Sequence, residues 1–207
     1  MKEVEVKFQS GELMLEGLLA NPGGDAPAAV VCHPHPMYGG SMDNSVVQVM
    51  LFSLWKKAYA TLRFNFRGVG RSEGEYDGGP GEVDDALAAA TFLLAQPGVR
   101  KDGLTMAGYS FGAMVAVSAG YERADVARIV AVALPLAMAD ARIPAGATKP
   151  LLLVSGDADT YSPVAGLRAL KDKIGDSARV EIVAGADHFF GGRENELSHA
   201  IANALKA

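Results

Sequence analysis

Short apolar runs alternate with longer segments of mixed polarity along most of the chain, and this alternation predicts strands and helices in turn. The runs AAVVC, GLTMAGY, ARIVAVAL and KPLLLVS contain few polar residues, which is typical of strands covered on both faces. The longer segments between them, such as the alanine-rich stretch 82–95, are typical of helices. This alternation predicts an α/β fold with a mostly parallel, twisted sheet and helices on both faces.

About eight strands are expected, and the first two, 4–8 and 13–20, are predicted to pair antiparallel at one edge. Ser41 is predicted to cap the first helix, with Asp43 in its first turn. The segment 135–148 is too short for a lid domain. The other strands are predicted at 28–32, 59–66, 103–109, 127–134, 149–155 and 178–183, and the helices at 41–58, 82–95, 111–121, 163–174 and 193–207.

Composition narrows the class of protein. The chain has 207 residues, of which 49% are hydrophobic and 21% charged, which predicts a single domain over 1–207 with a substantial core. The net charge of −5 argues against nucleic acid or an anionic membrane as a partner. The lone cysteine, Cys32, excludes an internal disulfide and indicates a reducing compartment. No leader-like or membrane-spanning apolar run is present, so a cytoplasmic protein is expected.

The candidate chemistry begins at the pattern Gly108-Tyr109-Ser110-Phe111-Gly112, a G-x-S-x-G. It lies between a predicted strand and a predicted helix, which is the context of a nucleophile elbow. The turn around the serine brings the two glycines together, so side chains there would block it. Ser110 is therefore the candidate nucleophile, although the five-residue pattern alone has little specificity.

A serine hydroxyl needs an adjacent base and a group that orients the base. His188, in GADHFFGG, follows the last predicted strand, where a loop can bring it over the elbow, whereas His199 belongs to the terminal helix pattern. The segment SGDADTYSP lies between serine and histidine and offers Asp157 and Asp159 as the acid. The chain order is then serine, aspartate, histidine.

The segments HPHPMYGGSMDN, FNFRGVGRSEG, GYSFG, SGDADTYSP and GADHFF occur in this order, and the resemblance that they carry covers nearly the whole chain. In these motifs the chain resembles the α/β-hydrolase superfamily, and among its members the small, lidless, dienelactone-hydrolase-like proteins with an HPHP-x-x-GG loop. The resemblance implies Ser110, Asp159 and His188 as the catalytic residues, because the acid usually stands three residues after a strand-ending glycine, here Gly156. Dienelactone hydrolases proper use cysteine at the nucleophile position, which argues against dienelactone as the substrate.

The oxyanion hole is expected to use two backbone N–H groups. One belongs to Phe111, after the nucleophile, and the other to the loop HPHPM. Because Pro34 and Pro36 have no N–H, His35 and Met37 remain as candidates. In α/β-hydrolases a His-Gly pair commonly ends the third strand, and alignment of His33-Pro34 with that pair favours His35. A shift of this alignment by two residues gives Met37.

Other chemistries fit the sequence less well. His33 and His35 resemble a metal-binding pair, but no third and fourth ligand follows at a suitable spacing, so no metal and no cofactor is predicted. Cys32 ends a buried strand and is interpreted as a core residue. Asp187 is expected to point away from His188. Asp140, after the preceding strand, is an outside candidate for the acid.

The predicted function is hydrolysis of a small-molecule carboxylic ester or thioester through an acyl-enzyme. The alternative is a non-catalytic binding or scaffold protein on the same fold. Short or medium acyl groups are expected, and the oligomeric state and the choice among ester, thioester and amide are not predicted. The candidate pocket residues flank the motifs and are mostly aromatic: Met37, Tyr38, Tyr109, Tyr161 and Phe189.

Overall fold

The computed structural model describes residues 1–138, 143–144 and 146–205 of the chain. Within them, eight strands form one sheet in the order β1-β2-β4-β3-β5-β6-β7-β8. β2 runs antiparallel to both of its neighbours, β1 and β4, so the expected antiparallel pair of β1 and β2 at one edge is confirmed. The strands are β1 Val4–Ser10, β2 Leu13–Ala20, β3 Ala28–Cys32, β4 Ala60–Phe64, β5 Leu104–Tyr109, β6 Val126–Val132, β7 Leu151–Gly156 and β8 Ala178–Val183.

Helices cover both faces of the sheet, as the apolar strand runs predict. Successive strand residues point to opposite faces, so Val30 packs with one core cluster and Val31 with the other. The first cluster lies under α2, α3 and α4, and the second under α1 and α5. The helices are α1 Ser45–Trp55, α2 Pro80–Leu94, α3 Phe111–Glu122, α4 Val164–Ile174 and α5 Glu194–Ala204.

The predicted start of α1 is wrong. Ser41 does not cap the helix, because its Oγ accepts a hydrogen bond from Asp43 N–H within a turn. Asn44 is the N-cap, with its Oδ1 accepting from Val46 N–H at 2.9 Å. Asp43 therefore precedes the helix and forms an ion pair with Arg63 at 2.6 Å. Serine and asparagine both satisfy free N–H groups, and their competition decides the boundary.

The connections at the carboxyl ends of the parallel strands position the candidate site. β3 and β5 are neighbours in the sheet, so the HPHP loop after β3 lies beside Ser110 after β5. β7 and β8 follow on the same side of β5, and the segments after them contain Asp159 and His188. Ligand sites on open parallel sheets lie at this edge. The segment between β6 and β7 has a short 3-10 helix, Leu136–Met138, in its described part.

Candidate active site

Ser110 occupies a sharp turn between β5 and α3. Its φ of 55° and ψ of −119° lie in a region that residues other than glycine seldom adopt. A Cβ on Gly108 would collide with the carbonyl oxygen of Gly112, and a Cβ on Gly112 with that of Cys32. The two glycines therefore allow the turn to close and to pack against the end of β3. Ser110 N–H donates to Val132 O at 2.9 Å, which ties the turn to β6.

The structure brings Ser110, His188 and Asp159 into one hydrogen-bonded chain. His188 Nε2 lies 3.0 Å from Ser110 Oγ, and His188 Nδ1 lies 2.9 Å from Asp159 Oδ2. A carboxylate only accepts hydrogen bonds, so the Nδ1 proton faces Asp159 and the Nε2 lone pair faces the serine hydroxyl. This is the tautomer in which an imidazole can take a proton from a serine.

Asp159 is buried, with 3% of its surface exposed. Its Oδ1 accepts hydrogen bonds from Tyr161 N–H at 2.8 Å and Ser162 N–H at 3.0 Å. Burial alone would raise the pKa of Asp159, but the hydrogen bond and charge of His188 and the two backbone donors outweigh it and lower the pKa. The carboxylate therefore stays charged beside the imidazole at neutral pH.

The loop after β8 holds His188 against the elbow. Tyr109 O–H donates to the carbonyl oxygen of His188 at 3.0 Å, and the two rings lie 5.6 Å apart. Phe190 is fully buried with a φ of 56°, so its side chain anchors the loop in the core under α5. Tyr109, which precedes the serine in the G-x-S-x-G pattern, thus contacts the loop of the histidine.

Two backbone N–H groups next to Ser110 have no acceptor among the described residues. They belong to Phe111, the first residue of α3, and to His35 in the HPHP loop. Met37 N–H, the alternative donor, is engaged with His35 Nδ1 at 3.2 Å. The geometry therefore favours His35 over Met37 as the second donor of an oxyanion hole.

A cavity of about 330 Å³ opens beside Ser110. Four of the five predicted pocket residues line it. Met37 does not: it projects from the 3-10 helix Pro36–Tyr38 and is 68% exposed. Asn44 lines the cavity and was not expected there, because the prediction placed it inside α1 instead of at its start. The lining residues are Pro34, His35, Tyr38, Gly39, Gly40, Asn44, Tyr109, Ser110, Phe111, Pro135, Tyr161, His188 and Phe189.

A model of the alpha/beta hydrolase domain family matches residues 28–204. The chain belongs to this family. This α/β-hydrolase is 33% identical over 210 aligned residues to an uncharacterised protein of Rickettsia prowazekii. The alignment covers 97% of this chain and 88% of that protein. Membership of this family supports a hydrolase activity on a small-molecule substrate.

Two solved structures agree with the α/β-hydrolase over almost its whole length. One is an alpha-beta serine hydrolase homologue from Coxiella burnetii, with a TM-score of 0.88 at 33% identity over 99% of this chain and 98% of that one. The other, from Xanthomonas campestris, is a serine hydrolase described as lacking a lid, with a TM-score of 0.86 at 28% identity over 100% of this chain and 94% of that one. The predicted fold class is confirmed.

The remaining candidate side chains lie apart from the Ser110 chain. Asp157 Oδ1 accepts from Gly185 N–H at 2.7 Å, and Asp187 Oδ1 accepts from Phe189 N–H at 2.9 Å. His199 is exposed on α5. Burial raises the pKa of the Cys32 thiol. Asp140 lies outside the described residues.

Neither a metal site nor a membrane-spanning helix is found in the described part of the α/β-hydrolase. No three histidine, cysteine, aspartate or glutamate side chains there are grouped so as to hold a metal ion. None of its helices is both long and apolar enough to cross a membrane.

His33, the first residue of the HPHP loop, connects the end of β3 to the segment that follows β4. Its Nδ1 donates to Pro34 O at 2.6 Å, and its Nε2 accepts from Phe66 N–H at 3.1 Å. Burial lowers the pKa of His33 to about 4, against the opposing effect of the hydrogen bond to Pro34. A protonated ring would also direct a second N–H at the N–H of Phe66. The fold therefore holds His33 neutral.

The neutral state of His33 predicts a loss of stability in acid. The pKa of His33 is 6.5 in the unfolded chain and about 4 in the folded chain. At pH values between these two, His33 takes up a proton in the unfolded chain but not in the folded one. The free energy of unfolding therefore falls by about 3 kcal/mol as pH drops through this window, with no further loss from His33 below it. Urea unfolding at pH 7 and pH 4 measures this loss.

His33→Gln keeps a donor and an acceptor but does not titrate. The unmodified protein is expected to lose about 3 kcal/mol more than this variant between pH 7 and pH 4. His199→Gln, at an exposed histidine on α5, is the matched control and is expected to behave like the unmodified protein. Equal losses in all three proteins would contradict the assignment to His33.

Proposed function

We propose that this α/β-hydrolase cleaves carboxylic esters or thioesters through an acyl-enzyme on Ser110, with His188 as the base and Asp159 as its orienting acid. The observation that carries the proposal is the hydrogen-bonded chain from Ser110 Oγ through His188 to Asp159 Oδ2. The similarity to a serine hydrolase homologue at 33% identity supports it. The proposal takes residues 1–207 as one domain, and the lone Cys32 supports a cytoplasmic location.

In the proposed acylation step, Ser110 Oγ attacks the carbonyl carbon of the substrate while His188 Nε2 takes the hydroxyl proton. The negative oxygen of the tetrahedral intermediate receives hydrogen bonds from the N–H groups of Phe111 and His35. The bond to the leaving group then breaks, and His188 returns the proton to the departing alkoxide or thiolate. Asp159 stabilises the imidazolium throughout this step.

Deacylation repeats the same sequence with water. His188 Nε2 takes a proton from the water as its oxygen attacks the acyl carbon, and the same two N–H groups hold the oxyanion. The bond to Ser110 Oγ breaks, the serine recovers its proton from His188, and the carboxylic acid leaves. These steps use groups of the chain, the substrate and one water molecule.

The cavity supports a small or medium, uncharged substrate. Its described lining contains no aspartate, glutamate, lysine or arginine, so a charged group on the substrate would find no opposite charge there. Aromatic rings form much of its wall. The volume of about 330 Å³ lies at the low end of small-molecule sites, so short acyl chains are expected to be turned over faster than long ones.

Labelling with a fluorophosphonate probe tests the proposed nucleophile. The folded protein is expected to take up one probe per chain, at Ser110, because an activated serine displaces fluoride from phosphorus and keeps the adduct. Intact-mass and peptide mass spectrometry measure the stoichiometry and the site.

The controls for the labelling are the heat-unfolded protein and Ser110→Ala, neither of which should react. The same preparation is assayed on p-nitrophenyl acetate, butyrate, octanoate and palmitate, and on a butyryl thioester. If the folded protein neither reacts with the probe nor hydrolyses any of these substrates, the alternative of a binding protein on a hydrolase fold replaces the proposal.

A further inference from the structure

The side chain of Asn44 has a defined orientation at the start of α1. Its Oδ1 accepts the hydrogen bond from Val46 N–H at 2.9 Å. A backbone N–H requires an acceptor, so the oxygen and nitrogen of the amide are assigned without ambiguity. The Nδ2 group, with its two N–H donors, is then the end of the amide that the helix does not use.

Asn44 Nδ2 donates no hydrogen bond to any group in the described part of the chain. The residue is half-buried and lines the same cavity as Ser110. Two N–H donors of fixed orientation therefore belong to the wall of the candidate substrate site without a partner in the protein.

The other buried polar groups on this wall are already engaged. His35 accepts from Met37 N–H at Nδ1, so its Nε2 carries the proton and donates to Tyr76 Oη at 3.1 Å. Tyr109 O–H donates to His188 O. Ser110 and His188 take part in the proposed reaction. Of the side chains that line the wall, Asn44 remains as a half-buried, uncharged donor.

The remaining hydroxyls of the lining belong to two exposed side chains. Tyr38 is 86% and Tyr161 62% exposed, so water competes for their hydrogen bonds. Asn44 is better shielded, and a hydrogen bond from it to a bound molecule contributes more to discrimination between ligands. The absence of charged side chains from the described lining indicates that the bound acceptor is neutral.

We propose that Asn44 is a specificity-determining residue whose amide donates a hydrogen bond to a neutral oxygen of the substrate other than the reacting carbonyl. The substrate class is then an uncharged ester or thioester that carries an ether, hydroxyl or keto oxygen in its acyl or alcohol part. This inference rests on the proposed function of Ser110 and goes beyond it by naming a second point of recognition.

Asn44→Asp separates recognition from helix capping. Aspartate has nearly the same shape and is an equally good N-cap, so the bond to Val46 N–H is retained while the N–H donors are lost. Asn44→Ser also keeps a capping oxygen and removes the amide. Thermal unfolding midpoints close to that of the unmodified protein are expected for both. Asn203→Asp, the same change at an exposed residue of α5, is the matched control.

The test uses two pairs of esters of matched shape. p-Nitrophenyl methoxyacetate and p-nitrophenyl butyrate differ by an ether oxygen in the acyl chain, and 2-methoxyethyl butyrate and n-butyl butyrate differ by one in the alcohol. The ratio of kcat/KM within a pair is compared between proteins, which cancels the intrinsic reactivity of each ester and any general effect of the new charge on His188.

The ratio is that of kcat/KM for the ester with the ether oxygen to kcat/KM for its hydrocarbon analogue. In at least one of the two pairs, this ratio is expected to fall about tenfold in Asn44→Asp and Asn44→Ser, which is the effect of one hydrogen bond to a neutral group. Asn203→Asp should leave both ratios unchanged. Unchanged ratios in both pairs for the Asn44 variants, or an equal loss on both members of each pair, would overturn the inference and leave the proposed function intact. Absence of Ser110-dependent hydrolysis of all four esters would overturn the proposed function, and this inference with it.

Discussion

Ser110→Ala is expected to lower kcat for p-nitrophenyl butyrate by about 10⁵-fold or more, to the level left by binding and the oxyanion donors alone. Removal of Oγ eliminates the atom that would form the acyl-enzyme, and no other hydroxyl lies 3.0 Å from His188 Nε2 among the described residues. Initial rates and single-turnover measurements at substrate saturation give the fall in kcat.

The fold is expected to survive this change. Serine already carries a Cβ at the strained φ of 55°, so alanine adds no steric conflict to the elbow. Circular dichroism and the thermal midpoint check this point. Ser177→Ala is the matched control. Ser177 precedes β8, so it lies at the amino ends of the parallel strands, away from the elbow, and its Oγ donates to Ala147 O. Activity of Ser110→Ala within tenfold of the unmodified enzyme would exclude Ser110 as the nucleophile.

Asp159→Asn is expected to reduce kcat by about 10⁴-fold with little effect on the fold. An asparagine keeps Oδ1 as the acceptor for Tyr161 and Ser162 N–H, so its NH₂ group faces His188 Nδ1. That nitrogen must then accept, which moves the imidazole proton to Nε2, toward the serine. The base can no longer take the serine proton in this tautomer. The pH profile of kcat/KM and NMR of the imidazole nitrogens report the change.

Asp157→Asn is the matched control for this prediction. Asp157 has the same side chain two residues earlier and bonds to Gly185 N–H, so its loss should change kcat by less than tenfold. Asp140→Asn tests the third carboxylate that the sequence offers. If Asp159→Asn stays active while one of the other two variants loses activity, the acid has been misassigned.

Many strands can be predicted from local runs of apolar residues, because each strand of a covered parallel sheet must be apolar on both faces. The predicted and observed bounds of β3, at Ala28–Cys32, coincide, and every residue of this strand is buried. The predicted strand 59–66 is longer than β4, Ala60–Phe64. Its end is set by a tertiary contact, since Phe66 N–H turns to His33 Nε2.

Local pattern fails where several residues compete for the same hydrogen bond. Ser41 and Asn44 are both good capping residues, and the sequence does not rank them. In the structure Ser41 closes a turn and Asn44 caps α1. The position of Asn44 on the cavity wall depends on that outcome.

The sequence by itself determined the order of strands and helices, the elbow glycines around Ser110, and the family resemblance, because these depend on spacing and on backbone sterics. Only the tertiary structure decided which groups meet. The family resemblance already favours Asp159 over Asp157 and His35 over Met37, but only the structure shows that Asp159 Oδ2 contacts His188 Nδ1. It also shows that the His35 ring engages Met37 N–H, whereas His35 N–H has no acceptor among the described residues. These contacts depend on the directions of individual hydrogen bonds between segments that are distant in the chain. The local pattern of apolar and polar residues carries no information on those directions.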